Sequence, residues 1–179
     1  MPPASRPKHK PRFVGFVAAS VDGRISLASK TLPNWTSLED QRFFRRSLAG
    51  FEAFVVGRNT YQAAAANLRK RNTFVFSSQL GRMQKRGTVT FVNPSSVNLV
   101  ELFRNYQSVA ILGGGMVYQA MLEKGLMDEI FVTVEPLVFG RGRAMFVGGR
   151  RTIGLRLLSA KRLNQKGTML LHYQIDRQN

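Results

Sequence analysis

Residues 109–118 read Val-Ala-Ile-Leu-Gly-Gly-Gly-Met-Val-Tyr. Four apolar residues, Val109 to Leu112, have the composition of a buried strand and run directly into Gly113, Gly114 and Gly115. Met116 to Lys124 then follows helical spacing and is closed by Gly125. Glycines between a strand and a helix let backbone approach a phosphate closely, and a helix start presents free N–H groups at the positive end of its dipole. The spacing is neither GxGxxG nor that of a P-loop. A tight strand-to-helix turn explains the run equally well.

Outward from this unit, short apolar runs alternate with helical patterns, as in an α/β sheet. Phe13 to Ala19, Phe54 to Val56, Thr73 to Phe76, Val89 to Val92 and Ile130 to Val134 read as strands. Ser37 to Leu48 reads as an amphipathic helix, and Ser95 to Tyr106 as another, with Ser95 or Ser96 as its cap. The chain closes as two strands, near Leu155 to Leu163 and Met169 to Ile175, joined through Lys166-Gly167 as a hairpin. No long linker or repeat divides the pattern, which predicts a basic tail over 1–12 and one domain over 13–179.

The 179 residues suffice for a core without staples, and 44% are hydrophobic. There is no cysteine, so disulfides, thiolate metal sites and cysteine nucleophiles are excluded, and the composition suits a reducing cytoplasm. His9 and His172 lie too far apart in sequence for a metal-ligand motif, so no metal is expected. No apolar run approaches the roughly 20 residues of a membrane helix. Met1 to Arg12, rich in proline and basic residues, reads as a solvated tail and not as a signal peptide. The net charge of +17 calls for an anionic partner or tolerance of one. The cations are scattered, in Arg45-Arg46, Arg69-Lys70-Arg71, Lys85-Arg86, Arg141 to Arg151 and Lys161-Arg162. No nucleic-acid signature accompanies them, so no specific nucleic-acid partner is expected.

Asp40 and Phe44 stand four residues apart on one helix face. A carboxylate beside an aromatic ring suits an amidine-like heterocycle, accepting two N–H bonds while the aromatic stacks. If Ser37 caps the helix, Asp40 is equally a capping-box acid, and Glu39 takes that role if Thr36 caps instead. Trp35, the only tryptophan, lies in the polar loop Pro33-Asn34-Trp35-Thr36 as an anchor or a substrate contact. Arg71 precedes the strand 73–76, and Ser77-Ser78 after it suit a phosphate or a turn.

Taken in order, these segments resemble the dihydrofolate reductase family. The matches begin with the opening strand bearing Ala18-Ala19, then Leu32-Pro33-Asn34-Trp35, with Asp40 five residues after the tryptophan and Phe43-Phe44 beyond it. Gly57-Arg58-Asn59-Thr60-Tyr61, Phe76-Ser77-Ser78-Gln79, Ile111 to Tyr118, and Asp128-Glu129-Ile130 leading to Thr133 complete the series. The resemblance implies a dihydrofolate reductase-like α/β fold: a mostly parallel twisted sheet, an antiparallel C-terminal hairpin and about four flanking helices. It also implies NADPH as cofactor and reduction of dihydrofolate by hydride transfer to C6 with protonation at N5. In this reading Asp40 and Thr133 grip the pterin, with Trp35 beside them. Ala19, Phe44, Leu112 and Arg71 complete the substrate site, Arg71 pairing with a carboxylate tail. Ala18, Ile25, Gly57, Arg58, Asn59, Thr60, Ser77, Ser78, Gly113, Gly114, Gly115, Met116, Val117 and Tyr118 hold the cofactor.

The segment Ala18 to Ser26 and the run Trp35-Thr36-Ser37 look more like the reductase domain of the riboflavin pathway, which shares this fold and cofactor and reduces a ribosylated diaminopyrimidine phosphate. Where that family carries acids, this chain has Ala64 and Leu112, and Ala66 replaces its proline, which counts against that substrate. A third alternative is a non-catalytic, polyanion-binding relative. The expected partner is a small molecule, dihydrofolate or a related pterin, bound by a monomer or homodimer away from membranes.

Overall fold

A computed structural model describes residues 10–27, 34–149 and 152–176. Residues 1–9 of the expected tail, Leu32 and Pro33 of the tryptophan loop, and Arg150-Arg151 lie outside the described residues.

The elements follow the predicted alternation. They are β1 (Arg12–Ser20), β2 (Arg24–Ser26), α1 (Leu38–Leu48), β3 (Ala53–Gly57), α2 (Arg58–Leu68), β4 (Asn72–Phe76), β5 (Gln84–Arg86) and β6 (Val89–Val92). They continue with α3 (Leu99–Phe103), β7 (Ser108–Ile111), α4 (Gly115–Glu123), β8 (Glu129–Glu135), β9 (Arg143–Ala144), β10 (Leu155–Arg162) and β11 (Met169–Ile175). Nine strands form one sheet in the order β10-β11-β8-β1-β7-β3-β4-β6-β5, and β2 pairs with β9 in a small second sheet. From β8 to β6 neighbouring strands are parallel, whereas β11 is antiparallel to β8 and to β10, and β5 is antiparallel to β6.

Alternation along the central strands sorts the core into two faces, because successive side chains point to opposite sides. Phe13, Val55, Val109 and Ile111 pack with Phe103, Met121 and Leu122 under α3 and α4. Phe16, Phe54 and Ala110 pack with Phe43, Phe44 and Phe131 under α1, and Val56 and Val75 pack with Tyr61 and Leu68 of α2. Phe16 lies stacked on Phe131 with centroids 5.3 Å apart and edge-on to Phe51 at 5.5 Å. Burying each such side chain is worth about 1.5–3 kcal/mol, so this aromatic floor seats α1 firmly on the sheet.

Two expectations change. Arg12, read as tail, is the first residue of β1, where its guanidinium pairs with Glu129 on β8. The helix expected from Ser95 begins only after Asn98, whose Oδ1 accepts from the N–H groups of Val100 and Glu101. Ser95 and Ser96 instead turn back onto Asn93, which removes them as caps. Among the described residues no helix is long and apolar enough to cross a membrane.

Candidate functional site

The carboxyl ends of β1, β3, β4 and β7 border a cleft of about 1540 Å³. Parallel strands place their following loops and helix starts at that edge, which is where open α/β sheets take ligands. Both α2 and α4 begin there, with Gly57 and Gly114 as N-caps that offer no side-chain cap to the first-turn N–H groups. The two starts are tied together, since the Gly57 N–H donates to the Gly113 carbonyl at 2.7 Å.

The three glycines have different reasons to lack a side chain. Gly113 has φ +90°, and a Cβ there would stand 2.7 Å from the Tyr118 hydroxyl. A Cβ on Gly115 would meet the Ala144 carbonyl at 2.7 Å, because the β2–β9 sheet lies against this turn. At Gly114 a Cβ would find nothing nearer than Ile25 at 3.9 Å and Thr60 at 4.0 Å. Gly114 thus leaves backbone open toward the cleft between two uncapped helix starts, an arrangement that fits a phosphate-bearing cofactor.

Opposite this wall stands Asp40, 7% exposed. Ser37 is the N-cap of α1, and its Oγ accepts the Asp40 N–H at 3.3 Å. The return half of a capping box is absent: the Ser37 N–H donates to Glu135 Oε1 at 2.7 Å. This frees the Asp40 carboxyl to take hydrogen bonds from Thr133 on β8 and from Thr36. Burial pushes the Asp40 carboxyl above its ordinary range, the two threonine donors pull it down, and the charge of Glu135 raises it further.

Of the residues singled out from sequence, Ala18, Ile25, Asp40, Phe44, Gly57, Arg58, Asn59, Thr60, Arg71, Ser77, Ser78, Leu112, Gly114, Gly115, Met116, Val117, Tyr118 and Thr133 line the one cleft. Three stand outside its lining. Ala19 points to the opposite face of β1 from Ala18 and is buried. Gly113 lies behind the turn against Tyr118. Trp35 packs edge-on against Phe139 at 5.0 Å, in the anchor role. Tyr118 reaches the lining with its ring only, because its buried hydroxyl donates to the Phe16 carbonyl and burial pushes it up. Arg71 donates to the Leu48 carbonyl at 3.1 Å and covers the Phe54 ring at 4.9 Å. Arg58 bonds Gln79 across the start of α2.

Sequence reading missed Ser26, Thr36, Gln79 and Arg143, which also line the cleft. Arg143 and Ser26 come in on the two-stranded β2–β9 sheet, whose strands are too short to carry a periodic signal. The lining holds five cations, Arg45, Arg58, Lys70, Arg71 and Arg143, against the single carboxylate of Asp40. Part of the +17 charge therefore faces the cleft, where it favours anionic ligands.

A mostly parallel sheet ending in an antiparallel hairpin, with paired helix starts and a buried acid on one cleft, gives the chain a dihydrofolate reductase-like fold. The chain belongs to the RibD C-terminal domain family, which matches residues 13–169. It is 23% identical over 172 residues to the uncharacterized protein YwjB of Bacillus subtilis (strain 168), a match covering 90% of this chain and 97% of that one. A putative riboflavin biosynthesis protein from Shewanella sp. PV-4 shares the fold with a TM-score of 0.70 at 21% identity, over 93% of this chain and 99% of that one. Dihydrofolate reductase from Enterococcus faecalis, complexed with NADP(H), does so with a TM-score of 0.65 at 19% identity, over 94% and 98%.

Proposed function

We propose that the chain is an NADPH-dependent reductase of a nitrogen heterocycle bearing an anionic arm, of the kind represented by the riboflavin pathway's ribosylated diaminopyrimidine 5′-phosphate. Family membership supports the reductase class. The observation that carries the reading is the pairing of a buried acid, Asp40, with two uncapped helix starts across one cleft.

The first-turn N–H groups of α2 and α4, the Thr60 hydroxyl and the open face of Gly114 would hold the cofactor's phosphates, with Arg58, Ser77 and Ser78 beside them. When bound, NADPH supplies a hydride. Asp40 accepts N–H bonds from the ring when ionised and presents a proton to it when neutral, and its raised carboxyl favours the second state. Thr133 and Thr36 hold that carboxyl in place, and Phe44 and Phe131 supply an apolar flank that excludes water. Arg45, Lys70 and Arg71 are the cations available for the anionic arm.

Dihydrofolate is the second reading. Asp40 with Thr133 favours it, as do Ala64 and Leu112, which line the cleft where the riboflavin-type reductases carry acids. Following NADPH oxidation with each substrate separates the two. Oxidation with the pyrimidine phosphate alone supports the first reading, and oxidation with dihydrofolate alone supports the second. Binding of NADPH without turnover of either would refute both substrates. Failure to bind NADPH, with salt-sensitive retention of a random oligonucleotide, would support the non-catalytic relative.

A further inference from the structure

A second carboxylate lies behind Asp40, outside the cleft lining. Glu135 ends β8, two residues beyond Thr133, and is 3% exposed. Strand alternation puts Phe131, Thr133 and Glu135 on the α1 side of the sheet. Both Glu135 oxygens are acceptors: the Ser37 N–H reaches Oε1 at 2.7 Å and the Thr168 hydroxyl reaches Oε2 at 2.6 Å. The direction of the second bond is set by its neighbours. Asn164 Oδ1 accepts the Thr168 N–H at 3.2 Å, so its amide nitrogen is the group 2.9 Å from Thr168 Oγ1. That oxygen already accepts from Asn164, and its proton is left for Glu135. The same amide nitrogen also donates to Glu39 Oε2 at 3.3 Å. The first turn of α1 is thus held at three points: Ser37 by Glu135, Glu39 by the hairpin turn, and Asp40 by Thr133 and Thr36.

Among the described residues neither Asp40 nor Glu135 has a salt bridge. A negative charge on Glu135 makes ionising the buried Asp40 carboxyl harder and raises it. Glu135 has an N–H and an O–H on separate oxygens, both spent within the fold. Of the groups facing Asp40, Glu135 from β8 is the charged one that bears on it. Thr133 and Thr36 are neutral, β1 contributes Ala18, and Glu39 on the same helix is turned toward Asn164. Arg45, Arg58, Lys70, Arg71 and Arg143 share the cleft.

We propose that Glu135 is a positioning residue for the cleft: its buried carboxylate pins the first turn of α1 and sets the protonation state in which Asp40 meets the ligand. This rests on Asp40 being the working acid of the reductase reading, but its first test does not require turnover. Carbon-13 carboxyl NMR of the full chain gives the Asp40 titration midpoint, with Asp40→Asn assigning the signal. In Glu135→Gln the midpoint moves to lower pH. Glu135→Asp keeps the charge but withdraws it by one methylene; its midpoint falls between the two, and it serves as the test if the Gln variant does not fold. An unchanged midpoint in whichever variants fold overturns the proposal, whatever the enzyme's substrate.

Where turnover is found, the alkaline limb of the pH–rate profile moves the same way. In that reading protonated Asp40 is the active form and is lost at lower pH once the neighbouring charge is gone, so activity of Glu135→Gln falls on the alkaline limb and is kept on the acid side. A loss equal at every pH, with an unshifted limb, marks a merely structural role and also overturns it. Absence of turnover in the unmodified chain, with the NMR shift present, refutes the reductase reading alone.

Discussion

Placing a methyl group on each of the three glycines in turn should separate folding from ligand binding within three adjacent residues. Gly113→Ala puts a side chain at φ +90°, outside the region L-residues favour, and drives it to 2.7–2.8 Å from the Tyr118 ring and hydroxyl. The backbone term is about 1–2 kcal/mol, and overpacking against a ring buried on all sides adds about 1–3 kcal/mol. For a chain of this size each kcal/mol lowers Tm by about 2–4 °C, so a fall on the order of 10 °C is expected. Gly115→Ala meets the Ala144 and Met145 carbonyls at 2.7 and 3.2 Å, and its loss of stability should include detachment of the β2–β9 sheet. Gly114→Ala differs: φ is −77° and the new carbon has only ordinary contacts at 3.9 and 4.0 Å. Its Tm should stay within about 3 °C of the parent, since lost unfolded-state freedom offsets part of any cost. The methyl nonetheless occupies the space a phosphate would take, and the Kd for NADPH should rise about tenfold, near 1.4 kcal/mol. Thermal melts by circular dichroism and NADPH titrations by fluorescence read both quantities. A Gly114→Ala variant that melts as early as Gly113→Ala, or binds NADPH as the parent does, would refute this division of roles.

Asp40→Asn should lower turnover by about 10²–10⁴-fold with the fold retained. Because the Asp40 carboxyl is raised in the folded state, its stabilising effect is present at low pH and is lost as pH rises through the folded value. The Asn variant should therefore gain Tm relative to the parent as pH rises above the ordinary range of a carboxyl, and a gain confined to lower pH would contradict the assignment. Asp22 runs the other way: the Ser20 hydroxyl, then the Phe139 and Gly140 N–H groups, hold its carboxyl down at about 2. Its contribution is present above the ordinary range of a carboxyl and lost as pH falls toward 2, so Asp22→Asn should flatten the drop in Tm between pH 5 and 3. Trp35→Phe should leave NADPH affinity within about twofold, since the indole packs on Phe139 outside the cleft lining, and a tenfold loss measured by calorimetry would place it in the site.

Much of this architecture is legible in local pattern. The apolar run before Gly113, the helical spacing from Ser37 to Leu48 and the closing strand pair depend on periodicity and on glycine, which act within a few residues and leave a readable mark. The short strands β2, β5 and β9 left none, because two or three residues carry no period. The pattern admits a helix start at Ser95 as readily as after Asn98 because serine and asparagine are both good caps, and only the turn made by Ser95 and Ser96 on Asn93 decides between them. Asp40 is open between cap and ligand for the same reason: Ser37 and Asp40 have the spacing of a capping box.

By itself the sequence determined the fold class, the glycine turn, the absence of thiol chemistry and a charge that favours anionic ligands, all properties of neighbouring residues or of composition. Only the tertiary structure decided which acid faces the cleft. Glu135, 98 residues from Ser37, takes the N–H that a capping box would have used, and Thr168 from the far hairpin completes its shell. It also gave Gly113, Gly114 and Gly115 three separate roles, through Tyr118, an open space and the β2–β9 sheet. Contacts between distant segments have no signature in local spacing, because the packing that brings them together is a property of the whole sheet.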